Sequence, residues 1–185
     1  MSDDSPANRR LFLRHTARLA AAGALPALAT SARASTPDSR ALAFVHTHTH
    51  ARIDLVYAVA DRYVPEALAR LNHFLRDHYT GDVGVIDPRV FDQLATVQRA
   101  LGSRQPYEVI CGYRCAATND RLRQTRGGGV ASHSLHMEGR AIDVRLPGVP
   151  LAELRDAALS LQAGGVGFYP IDQFVHLDTG RVRRW

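Results

Sequence analysis

Two histidines and an aspartate in this chain are spaced so that they could close on one metal ion. In Ser132-His133-Ser134-Leu135-His136-Met137-Glu138-Gly139-Arg140-Ala141-Ile142-Asp143 a carboxylate stands seven residues beyond His136. The glycine between them lets the backbone turn back, so that imidazole and carboxylate can converge. Further on, Phe174-Val175-His176-Leu177-Asp178 alternates like a strand, which sends His176 and Asp178 to one face. His136, Asp143 and His176 then make a two-imidazole, one-carboxylate set typical of catalytic zinc, with a fourth position left to water. Such a metal lowers the pKa of water and polarises a carbonyl, which is what amide hydrolysis needs.

Other residues with chemical potential are less pointed. His46, His48 and His50 continue the alternation of Leu42-Ala43-Phe44-Val45, which would place all three on one face of a strand. They could bind a metal, but a half-exposed edge strand has the same composition, and no acid or cysteine nearby completes a site. Cys111 and Cys115 are the only cysteines. In an oxidising compartment they can pair, closing a loop so small that it adds little stability. Their spacing is not the CxxC-like one expected of metal thiolates.

The elements that must hold these residues read as a mixture. Pro65 to Arg76 places Ala67, Leu68, Leu71, Phe74 and Leu75 at helical spacing, with proline at the favoured entry position. Asp87-Pro88 opens a second helix carrying Phe91, Leu94, Val97 and Leu101 on one side, ended by Gly102. Tyr107 to Cys111 has the content of a buried strand and leaves it through the turn Gly112-Tyr113-Arg114. A polar helix is expected over Asn119 to Arg126, a flexible loop at Gly127-Gly128-Gly129, and a third amphipathic helix over Leu151 to Gln162. The fold class this implies is α+β, with a small antiparallel sheet carrying the metal site and amphipathic helices packed on it.

Residues 1–34 read as an address. Asn8-Arg9-Arg10-Leu11-Phe12-Leu13 carries paired arginines, Ala17 to Ala29 is modestly apolar, and Ala32-Arg33-Ala34 offers a small-residue cleavage site. Arg18 and Pro26 interrupt the apolar run, so a stable membrane anchor is not expected. A twin-arginine export signal over 1–34 would leave a disordered leader over 35–41 and one domain over 42–185. Every basic side chain among the 23 Lys and Arg is arginine. Five of these and two of the 18 acids, Asp3 and Asp4, fall in the first 34 residues, which leaves 18 arginines against 16 acids. Spread over the domain, so small an excess argues against nucleic acid as a partner and suits transient contact with an anionic polymer.

The run SxHxxGxAxD at Ser134, His136, Gly139, Ala141 and Asp143, followed by the HxD strand at His176 and Asp178, resembles the peptidase M15 superfamily of zinc D,D-peptidases and murein endopeptidases. Within it the likeness is to the murein endopeptidase K type, and takes in Asp87-Pro88, Gly112-Tyr113-Arg114 with Asn119, Gly165 to Pro170, and Phe174 to Trp185. The resemblance implies one zinc ion on His136, Asp143 and His176, peptidoglycan stem peptides as substrate, and hydrolysis of their cross-links in the periplasm. It implies that Arg114 lies near the substrate, where a guanidinium suits a carboxylate or a developing oxyanion. Ser134 is expected to bond the ligand shell. Some relatives carry a glutamate three residues before the last histidine; Gln173 stands there and accepts no proton. Asp178 is therefore the expected general base, with orientation of His176 as its alternative role and His133 and Glu138 in reserve. Small residues are usual in that family where Cys111 and Cys115 stand, which suggests an optional disulfide across the Arg114 turn. Two other functions fit the residues: a D-alanyl-D-alanine carboxypeptidase using the same site, and a non-catalytic peptidoglycan-binding zinc module whose fourth position is filled by a protein donor.

Overall fold

The computed structural model describes residues 38–125 and 130–185. The expected export signal, the start of the expected leader and the Gly127-Gly128-Gly129 loop lie outside them. Among the described residues the chain forms β1 (Ser39–His46), β2 (Arg52–Val59), β3 (Arg62–Tyr63), α1 (Pro65–Phe74), α2 (Pro88–Ala100), β4 (Tyr107–Cys111), α3 (Ala116–Thr125), a 3₁₀ turn (Leu135–Glu138), β5 (Ala141–Arg145), α4 (Leu151–Ser160), β6 (Gly165–Tyr169), β7 (Phe174–Asp178) and β8 (Arg183–Arg184). The fold is α+β, as the sequence predicts.

The sheet is larger than expected and mixed. Its order is β3-β2-β1-β4-β5-β7-β6-β8. Strands β1 and β4 run parallel, as do β6 and β8, while the remaining pairs are antiparallel. The parallel pair in the middle follows from the connection: α1 and α2 carry the chain back before β4 begins, which a hairpin cannot do.

Two expectations at the N-terminal end are corrected. The strand starts at Ser39, so residues 39–41 are not leader; Ser39 and Arg40 pair with Val59 and Ala58, and the Arg40 guanidinium is held by Asp92 of α2. The three histidines do not share a strand face either. β1 ends at His46, the chain turns to meet Arg52, and His50 adopts a left-handed φ of 57°. His46 is buried beneath His78 and Phe74, whereas His48 and His50 are exposed.

The helices form close to where periodicity puts them, and local bonds explain the differences at their ends. Asp87 caps α2 by accepting from the Arg89 amide at 3.0 Å, next to a proline that needs no amide partner. α3 begins three residues before Asn119, because the Asn119 amide already donates to the Cys115 carbonyl at 3.0 Å. α4 stops at Ser160, before the expected Gln162, whose φ of 53° is left-handed.

Alternation along the central strands sorts core from chemistry. Ile142 and Val144 of β5 and Val175 and Leu177 of β7 are buried in one apolar cluster with Leu94 of α2 and Leu154 of α4. Their neighbours in sequence, Asp143 and His176, therefore emerge on the other face, directly opposite one another in the β5–β7 register. Burial of the apolar set at roughly 25 cal/mol per Å² thus also fixes which way the two polar side chains point.

Candidate metal centre

His136 reaches the same point from the 3₁₀ turn. That turn ends at Gly139, whose φ is 66°, and an added Cβ there would lie 1.9 Å from the Val85 carbonyl oxygen. Only glycine reverses the chain so close to another backbone. Asp87 and Thr179 hold this corner. The Asp87 amide donates to the Gly139 carbonyl at 2.8 Å, Thr179 Oγ1 donates to Asp87 Oδ2 at 2.8 Å, and Arg140 Nη2 donates to the Thr179 carbonyl at 2.7 Å.

The three expected donors converge. His136 Nε2 lies 3.3 Å from Asp143 Oδ1 and 3.2 Å from His176 Nδ1, and His176 Nδ1 lies 2.8 Å from Asp143 Oδ1. All three side chains are buried. Donor atoms so spaced fit one ion held by imidazole and carboxylate at about 2.0–2.2 Å. Burial works against the imidazolium of His136, but Asp143 and then Cys111 outweigh it and raise its pKa to about 10. Burial likewise works against the Asp143 carboxylate, yet His136 and His176 hold it far below the usual range. The two shifts report one buried imidazole–carboxylate pair sharing a proton, whose place a cation bound there would take.

Each ring is oriented by an acceptor on its far side. His136 Nδ1–H donates to the Gly112 carbonyl at 2.7 Å, which leaves Nε2 free to bind. His176 Nε2–H donates to Asp178 Oδ2 at 3.3 Å, which turns Nδ1 toward Asp143 and His136. Asp178 is fully buried; it also accepts from the amides of Gly165 at 2.9 Å and Gly180 at 2.8 Å and from Arg183 Nη2 at 2.8 Å. Burial opposes its charge, but His176 and the two amides bring its pKa to about 2. A carboxylate so enclosed, behind the ring, is placed to orient His176 and not to take a proton from a substrate, which corrects the first role expected of it.

The Arg114 turn closes the cluster from the β4 side. The Tyr113 amide donates to the Leu75 carbonyl at 2.8 Å, the Arg114 amide to the His136 carbonyl at 3.2 Å and the Cys115 amide to Asp77 Oδ2 at 3.0 Å. Arg114 forms no ion pair with a carboxylate among the described residues. Nη1 donates to Asn119 Oδ1 and Nη2 to Cys111 Sγ, both at 3.4 Å, and its buried Nε has no partner. Cys111 and Cys115 are both free, so the optional disulfide across this turn is not formed here. The Cys115 sulfur sits instead against the Thr80 and Thr118 hydroxyls.

A groove of about 770 Å³ opens over the cluster, lined by Arg114, His133, His136, Asp143, His176 and Trp185 among others. His133 is exposed on its wall. Glu138 is not part of the lining and pairs with Arg140, and Gln173, with a left-handed φ of 59°, donates to the Pro170 carbonyl. Ser134 lines the groove, but its hydroxyl makes no bond to a ligand; the Gly112 carbonyl does that work, and no residue type announces it. Trp185 was also unassigned by sequence reasoning. Its ring lies 5.3 Å from that of His176 and its Nε1–H donates to Tyr169 Oη at 2.7 Å.

The family model described as peptidoglycan L,D-endopeptidase MepK matches residues 34–185. The chain is 45% identical to peptidoglycan L,D-endopeptidase MepK of Escherichia coli (strain K12) over 185 residues, covering 99% of this chain and 100% of that protein. The protein of the same name from Shigella flexneri matches to the same extent. A probable peptidoglycan L,D-endopeptidase MepK of Haemophilus influenzae is 44% identical over 156 residues, 83% of each chain. The chain belongs to the MepK family of M15 peptidases.

Proposed function

We propose that this protein is a zinc-dependent endopeptidase that hydrolyses peptide cross-links of peptidoglycan. The observation that carries the reading is the triangle of His136 Nε2, Asp143 Oδ1 and His176 Nδ1, with edges of 2.8–3.3 Å, set in the wall of an open groove. When bound there, zinc supplies Lewis acidity toward the scissile carbonyl and makes water a better nucleophile. The relatives' name supports the substrate.

The chain's own groups supply the rest. Gly112 and Asp178 fix the tautomers of the two ligand rings. Arg114 lines the groove with two weakly engaged Nη groups, so it holds a substrate carboxylate or the oxygen that becomes negative during attack. His133, exposed on the same wall, moves the proton that must leave water and reach the departing amine.

Export by the twin-arginine route to the periplasm is part of this proposal and rests on Arg9-Arg10 and Ala32-Arg33-Ala34. No helix among the described residues is long and apolar enough to cross a membrane. Replacing Arg9 and Arg10 by lysine is expected to leave the uncleaved protein in the cytoplasm, as fractionation would show; unchanged export removes that route.

Digestion of purified sacculi tests the activity. The endopeptidase converts cross-linked dimeric muropeptides to monomers, and chelator stops it. Release of D-alanine with the dimers intact would replace it by the carboxypeptidase reading, and binding without any cleavage by the non-catalytic one.

A further inference from the structure

We propose that Cys111 supplies a sulfur donor to the metal held by His136, Asp143 and His176; the inference rests on the metal centre proposed above. Sequence spacing speaks against thiolate ligation, because Cys115 is too far along the chain to join it as a pair. The fold supplies other partners. Cys111 is the last residue of β4 and, past a bulge after Val109, lies opposite Asp143 in the β4–β5 register. The donor atoms of Cys111, His136 and Asp143 all lie within 4.8 Å of one another, and all three residues are buried. The sulfur is not in a disulfide, and Arg114 Nη2 donates to it at 3.4 Å, which offsets the charge of a thiolate.

The direction of approach keeps the centre open. A second, narrow cavity of about 60 Å³ is lined by Cys111, Asp143, Arg114 and His78, but not by His136 or His176. The large groove is lined by both histidines and not by Cys111. The sulfur therefore reaches the cluster from the side of the second cavity and leaves the groove face to solvent and substrate. Zinc takes thiolate at about 2.3 Å and tolerates a fifth position during hydrolysis. A soft donor also biases the site toward zinc or cobalt and away from magnesium or manganese.

Cobalt(II) is the probe, loaded into wild type, Cys111→Ser and Cys115→Ser. All three are expected to bind one ion. Wild type and Cys115→Ser should show near-ultraviolet sulfur-to-cobalt charge-transfer absorption; Cys111→Ser should show none and bind cobalt about tenfold more weakly. In wild type, cobalt should also protect Cys111 from iodoacetamide, and chelator should restore labelling at that peptide. Full cobalt occupancy in wild type without the absorption band overturns the inference and leaves the proposed function standing. Failure of all three to bind cobalt removes the metal centre and the inference with it.

Discussion

Which nitrogen of each ring faces the cluster is decided by two acceptors on the far side of the rings, the Gly112 carbonyl and Asp178 Oδ2. Asp178→Asn puts an amide where three other donors already point, so His176 loses its fixed orientation. Zinc affinity should fall about 10–100-fold in a chelator competition, as is usual when such an outer partner is lost. A general base would behave differently: kcat would collapse at unchanged zinc affinity. His133→Ala is the complementary case. It should keep one zinc per chain and lower kcat by about 100-fold or more, flattening one limb of the pH–rate profile; unaltered kcat would place the proton transfer elsewhere. The convergence of His136, Asp143 and His176 was legible in the sequence because donor types and a glycine mark it. Gly112 was not, since a backbone carbonyl carries no residue signature, and Cys111 was not, since its partners come from other elements.

Turns, more than strands, set the geometry of the centre. Gly139→Ala combines a left-handed φ with a Cβ 1.9 Å from the Val85 oxygen, so the corner that presents His136 must move. A loss of about 3 kcal/mol in urea unfolding is expected, together with weaker zinc binding; near-native values for both would show the corner to be pliant. Helices α1, α2 and α4 could be read from periodicity because each buries one apolar stripe. Strand β6 could not, because Gly165 and Gly167 suppress the strand signal for a tertiary reason. A Cβ on Gly165 would lie 2.4 Å from Asp178 Oδ2, and one on Gly167 would lie 2.7 Å from the Trp185 ring. β3 and β8, at two residues each, are too short to show a period. The parallel β1–β4 pair joins segments some sixty residues apart and has no local signature.

Stability of the whole molecule should depend on pH through histidines remote from the groove. Burial, and then the neighbouring His78, lower the pKa of His46 to about 4; burial and then His48 do the same for His78, against an ordinary 6.5. Between those values the unfolded chain binds more protons than the folded one, so stability is full above pH 6.5 and declines as pH falls toward 4. The loss should be about 3 kcal/mol from His46, with a smaller, screened share from the partly exposed His78, and His46→Phe should flatten the slope of urea midpoint against pH. A slope unchanged in that variant would assign the effect to other groups. At the same scale, an ion bridging β5, β7 and the 3₁₀ turn should raise the melting temperature in proportion to its affinity. The most direct test of the account is anomalous scattering at the zinc edge from crystals grown with zinc. It predicts one peak within bonding distance of His136 Nε2, Asp143 Oδ1 and His176 Nδ1; an empty cluster at saturating zinc, or a peak held by other residues, would contradict it.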